Sequence, residues 1–266
     1  MQEWQVAGPK GRKRPDKPRQ IDPRLTSATH HSQVHSAGLP LPAGQDTTAR
    51  CQQNIHSLER QKHSLQTSQL FKAVQSAFLI AEADSSSEED ELGFQQAWRL
   101  QTVQALVVWG LGSFSSGVSR AQGAFASLLQ QLLPGLADAP EAFDPVFTQH
   151  DKHILHHLGM QVTEANEGGA RIAQVPTLFY LAHCEAALCC SLLQANATAS
   201  TLHNVAILGN SLAMSSTKRH LSAAQRSLMK QACKQEIAIP ELDMHAGGAF
   251  NDLALHILQN IPKPPG

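Results

Sequence analysis

From residue 104 to 260 the apolar positions fall into short continuous runs, and amphipathic stretches lie between them. "ALVVW" (105–109), "MQVTE" (160–164), "TLFYLA" (177–182), "NVAILG" (204–209) and "EIAIP" (236–240) are rich in strand formers, and a further brief strand ends at Phe143. "TLFYLA" does not alternate, as expected of a strand covered on both faces. Between these runs the period changes. Val118, Ala121, Phe125, Leu128, Leu129 and Leu132 share one side of a helix over 117–133, which Pro134 and Gly135 stop. "TQHDKHILHHLG" predicts a helix capped by Thr148, with Asp151 at the capping-box position and Gly159 ending it. Residues 185–195 and 222–234 predict two more helices. The repeated β-α order predicts a Rossmann-like α/β fold: a mostly parallel, doubly wound sheet of five or six strands with helices on both faces.

Upstream, Ile55, Leu58, Leu65, Phe71, Val74 and Phe78 recur at spacings near three, four and seven. They predict one or two N-terminal amphipathic helices over 48–83. Residues 1–47 are rich in Pro, Gly, Ser, His and basic side chains and poor in aromatics, the composition of a disordered basic tail. Residues 84–103 open with "DSSSEEDE" and form an acidic linker. The α/β domain covers 104–260, and 261–266 is a short tail.

The chain of 266 residues is 42% hydrophobic, enough for one sizeable core with tails. A formal charge of -1 gives no reason to expect specific nucleic-acid binding. The charge is uneven, however: residues 10–19 hold six Lys or Arg against one Asp, the pattern of a nuclear-import signal or a solubilising arm. Ser85 to Ser87 precede an acidic run that suits an acidophilic kinase. Five cysteines without CxxC spacing fit a reducing compartment. No apolar run approaches the roughly 20 residues that span a bilayer. These features predict a soluble protein of cytoplasm and nucleus, with no membrane contact.

In open α/β sheets, ligands lie beyond the carboxyl ends of the strands. Small and polar residues cluster at those ends here. Gly110, Gly112, Ser113, Phe114 and Ser115 follow the first strand, and Asp144 the second. Asn166 and Glu167 follow the third, His183 and Cys184 the fourth, and Asn210 and Ser211 the fifth. Together they are the candidate cofactor-binding set, for a small nucleotide-type ligand such as NAD(P) or S-adenosylmethionine. Gly110-x-Gly112 leads into a helix, so it is either a phosphate cradle or a tight turn. The dinucleotide fingerprint is incomplete, with Ser115 in the third glycine's place, and Asp144 lies further from Gly110 than the usual ~20 residues. No cofactor is identified. His183-Cys184 suggests a nucleophile with its base, but neighbours on an extended chain face opposite ways. Catalytic residues stay unassigned. His150, His153 and His157 share a helical face set apart from Ile154, Leu155 and Leu158; a solvated face is expected, and no metal.

Several of these segments, "VVWGLGSFSSG", "FDPVFTQHDKHILHHLG", "ANEGGARIAQVPTLFYLAHC", "NVAILGNSL" and "FNDLALHIL", occur in the order and spacing of the SRR1-like domain. That family is named for the plant phenotype of reduced sensitivity to red light. "EWQV" followed by "GRKR" is similar to the start of many members. The resemblance implies a Rossmann-like domain, a role in circadian timing, light signalling and regulation of haem biosynthesis, and a presence in cytoplasm and nucleus. It brings no settled reaction or cofactor; protein partners are expected but not identified. Two departures stand out: Ala182 precedes His183 where the family more often has Pro, and 212–221 is poor in aromatics. A ligand-free interaction domain is the third reading, beside regulator and nucleotide-dependent enzyme.

Overall fold

A computed structural model describes residues 43–85, 100–240 and 248–261. The basic run at 10–19, His30, His31 and His35, Ser86, Ser87, the acidic run and the last five residues lie outside the described residues.

Seven strands form one sheet. They are β1 (Ala105–Trp109), β2 (Glu141–Phe143), β3 (Gln161–Val162), β4 (Thr177–Leu181), β5 (Val205–Asn210), β6 (Cys233–Ala238) and β7 (Leu253–Leu258). Their order is β3-β2-β1-β4-β5-β7-β6. The pairs from β3 through β5 are parallel, and β7 runs antiparallel to both β5 and β6. The sheet is thus mostly parallel and doubly wound, with one strand more than the sequence suggests. That extra strand, "LALHIL", is buried at every position. A short apolar run without alternation does not distinguish strand from helix.

Seven helices accompany the sheet among the described residues: α1 (Ala43–Gln66), α2 (Gln69–Ser85), α3 (Gly117–Leu132), α4 (Gln149–His157), α5 (Ala186–Ala199), α6 (Leu212–Ser215) and α7 (Ala223–Ala232). Strand pleating splits the core into two layers. Leu106, Val108, Leu178, Tyr180, Ala206 and Leu208 face one cluster, which α1 to α4 complete through Leu58, Val74, Phe125 and Leu155. Val107, Trp109, Phe179, Leu181, Val205 and Ile207 face the other, which α5 and α7 complete through Leu192, Leu193 and Met229. The N-terminal helices therefore belong to the core of the α/β unit. The Phe125 ring meets Phe71 edge-on at 6.2 Å, and Tyr180 and Phe250 at 5.7 and 5.1 Å.

Tyr180 is fully buried, and its hydroxyl has no hydrogen-bond partner among the described residues. Desolvation of that hydroxyl works against the fold. Tyr180→Phe is therefore expected to leave the unfolding free energy unchanged or raise it by about 1 kcal/mol. A denaturant titration showing a loss of that size would give the hydroxyl a partner.

Candidate functional site

All twelve candidate residues lie at or beyond the carboxyl ends of the parallel strands. They do not form one open cavity. The first group, around the β1 loop, is closed by its own hydrogen bonds. Gly112 N–H donates to Asp144 Oδ2 at 2.7 Å, and Val146 N–H to Asp144 Oδ1 at 3.0 Å. Phe114 N–H donates to Asp151 Oδ1 at 2.8 Å, and the Ser113 hydroxyl to the same oxygen at 3.2 Å. The other Asp151 oxygen accepts from the Thr148 amide and hydroxyl at 2.8 and 2.7 Å. Thr148 in turn accepts from Asp151 N–H, which completes the capping box of α4. Two buried carboxylates thus occupy the amides that would otherwise reach a phosphate. A bound anion would also meet their negative charge. Burial pushes the Asp144 carboxyl upward, the two amide bonds oppose that, and the charge of Asp151 adds to it.

Gly110 and Cys184 fill the gap between β1 and β4, the point where the strand order reverses. A Cβ on Gly110 would stand 2.5 Å from Cys184 Sγ, and the backbone there has φ +76°. Glycine is needed because the thiol packs against it. Cys184 Sγ donates to the Trp109 carbonyl at 3.4 Å. Burial first, and then the neighbouring Cys189, Asp144 and Glu185, push this thiol well above its ordinary value. A thiol held protonated and packed in this way is a poor nucleophile. Phe114 closes the loop from below. Its ring is fully buried, and a Cβ on Gly123 of α3 would lie 2.4 Å from it, so the helix carries glycine where the ring lands. The β1 loop is a tight strand-to-helix turn locked by side chains.

Asn166 and Glu167 lie on the other side of Trp109, in a narrow cleft with Phe143, Thr163, Gly168 and Leu188. Asn166 Oδ1 accepts from Gly168 N–H at 2.9 Å, and Glu167 pairs with Arg171 at 2.6 Å. Arg171 also reaches Glu141 at 3.0 Å. These side chains already have partners that fix the β3–β4 connection.

The second group opens a real pocket. His183, Cys184, Asn210 and Ser211 line a cavity of about 430 Å³ over the ends of β4 and β5, together with Glu185, Met214, Lys218, His220 and Asp252. That is within the ~300–1,000 Å³ range of small-molecule sites. Its floor is rigid. Ser211 donates to Glu236 Oε1 at 2.5 Å and caps α6 by accepting from Met214 N–H. Ala213 N–H donates to Glu236 Oε2 at 2.9 Å. The buried His256 ring donates from Nδ1 to the Ile207 carbonyl at 3.0 Å, and its Nε2 accepts from Leu212 N–H at 3.1 Å. His183 and Asp252 both have left-handed backbones, at φ 60° and 56°.

Sequence reasoning found the strand-end half of this pocket and missed the rest. Lys218, His220 and Met214 lie in and after α6, which is too short to show a period. Asp252 precedes the strand that the sequence did not resolve. The histidine face of α4 is not simply solvated. His150 Nε2 is 3.0 Å from Asn54 Nδ2, and His157 is 3.6 Å from Glu59, both on α1. No group of three metal-ligating side chains assembles among the described residues. No described helix is long and apolar enough to cross a membrane.

Fold and edge together define an α/β protein with a doubly wound sheet, a locked glycine turn and an open pocket beside it. The family model described as the SRR1 domain matches residues 61–257, from within α1 to within β7, and the chain belongs to that family. It is 34% identical over 166 residues to Protein SENSITIVITY TO RED LIGHT REDUCED 1 of Arabidopsis thaliana, covering 60% of each chain. It is 39% identical over 107 residues to the SRR1-like protein of Mus musculus, covering 40% of this chain and 43% of that one. The SRR1-like protein of Drosophila melanogaster is 31% identical over 122 residues, which is 46% of this chain and 44% of the relative. The matched part is less than two thirds of each relative's length.

Proposed function

We propose that this chain is a regulatory protein of the SRR1 type that acts by holding a small ligand over β4 and β5. The process it serves is light-linked and circadian signalling, together with regulation of haem biosynthesis, in cytoplasm and nucleus. Family membership and the name of the Arabidopsis relative support the process. The observation that carries the ligand reading is the contrast at the sheet edge: the 430 Å³ pocket is open, while the glycine turn is filled by its own carboxylates.

The topology favours a single nucleoside, as in S-adenosylmethionine, over a dinucleotide. A dinucleotide fold uses two matching β-α-β-α-β halves. Here β7 separates β5 from β6, so the second half lacks its third neighbouring strand. A thermal-stability panel of NAD(P), S-adenosylmethionine, nucleotides and haem tests the reading. A ligand at 100 times its dissociation constant adds about 2.7 kcal/mol. A shift with a nucleoside ligand and none with NAD(P) is expected; no shift with any member would remove the ligand reading. The alternative is a ligand-free interaction domain, favoured by the neighbouring Leu79 and Ile80 of α2, exposed at 62% and 47%.

A further inference from the structure

The pocket over β4 and β5 carries charges of both signs. Lys218 comes from the segment after α6, Glu185 caps the start of α5, and Asp252 immediately precedes β7. All three are exposed, and no side-chain hydrogen bond holds any of them among the described residues. The half-buried Asn210 amide lies among them without a side-chain partner there, and Met214, 62% exposed, supplies an apolar wall. Three non-glycine residues among those described have left-handed backbones. One of them, Ser200, caps the end of α5, and the other two, His183 and Asp252, both line this pocket. Such strain collects at ligand sites, where the surrounding structure holds it in place.

The charge pattern selects a ligand class. A pyrophosphate would face Glu185 and Asp252, and a simple cation would face Lys218. A molecule with one ammonium and one carboxylate answers both. We propose that this pocket binds an amino-acid-type zwitterion, with its carboxylate toward Lys218 and its ammonium toward Asp252 and Glu185. Asn210 is placed to bridge the two, and Met214 to cover an aliphatic or thioether stem. This rests on the reading that the pocket takes a small ligand, and it narrows that reading to a chemical class.

Calorimetric titration of the full chain with S-adenosylhomocysteine and with 5′-methylthioadenosine provides the test. The two share a nucleoside and thioether, and only the first has the amino-acid end. S-adenosylhomocysteine is expected to bind at least about tenfold more tightly, which corresponds to about 1.4 kcal/mol. Lys218→Ala and Asp252→Asn should each weaken it about fivefold or more, with the melting temperature of the unliganded protein unchanged. L-methionine at millimolar concentration serves as a second probe, free of the nucleoside. Equal binding of the two nucleosides overturns the zwitterion and leaves a nucleoside pocket standing. Failure of both S-adenosylhomocysteine and L-methionine, with a shift from a nucleotide or haem, also overturns it alone. If none of these probes binds, both readings fall.

Discussion

Asp151→Ala is expected to lower the unfolding free energy by about 3 kcal/mol, the upper range for hydrogen bonds to a charged group. The carboxylate is 1% exposed and accepts four hydrogen bonds, from Phe114 N–H, the Ser113 hydroxyl and both donors of Thr148. Alanine leaves the buried Phe114 amide without an acceptor and removes half of the α4 capping box. The β1 loop then loses its tie to α4, and the Phe114 ring loses the backbone that seats it against Gly123. Asp151→Asn discriminates between charge and shape. Its carbonyl serves one pair of donors, but its NH2 group faces the other pair, so about 2 kcal/mol should still be lost. A denaturant titration of the three proteins reads both values. If alanine costs less than 1 kcal/mol, the loop is held by packing alone.

Asn196→Ala is expected to have an effect of similar size, about 3 kcal/mol, by a different route. Asn196 is fully buried in α5, and both ends of its amide are saturated. Oδ1 accepts from Ala173 N–H at 2.9 Å and from the Thr201 hydroxyl at 2.8 Å. Nδ2 donates to the Arg171 and Leu192 carbonyls at 2.8 and 2.9 Å. This one side chain fastens the β3–β4 connection, which lines the Trp109 cleft, to the helix behind it. Asn196→Asp keeps the two donors supplied but sets a carboxylate oxygen against two carbonyls, so it should be no milder than alanine. Hydrogen exchange provides a local readout: the Ala173 amide should lose protection in Asn196→Ala, which removes its acceptor, and keep more of it in Asn196→Asp, which retains one. Unchanged exchange there, with the stability loss present, would place the defect within α5 rather than in the connection.

Both residues show how far the sequence can be read. Asp151 is visible as a helix-capping acid because capping is local, with Thr148 three residues before it. Its bond to Phe114, 37 residues earlier, is not visible, because the chain must first form a parallel pair between β1 and β2. Asn196 sits among polar residues near the end of α5 and carries no signal of burial. Cys184 at a strand end reads first as a buried filler and only second as a nucleophile; the 2.5 Å approach of a Cβ on Gly110 shows what it fills. The apolar runs of β1, β4 and β5 are legible, since a strand buried on both faces has no polar position inside the run to interrupt it. The run of β7 has the same composition, but nothing local reveals that it turns back between β5 and β6.

The sequence by itself determines the α/β class, the alternation of strands and helices from β1 through β6 apart from the short α6, and the family. Each of these follows from short-range periodicity or from motifs read in order. Tertiary structure alone decides that α1 and α2 belong to the core, that the glycine turn is closed by Asp144 and Asp151, and that the open pocket lies over β4 and β5. Those outcomes depend on which distant segments meet, and the free energy of such a meeting comes from burial and hydrogen bonds that no local window of residues contains.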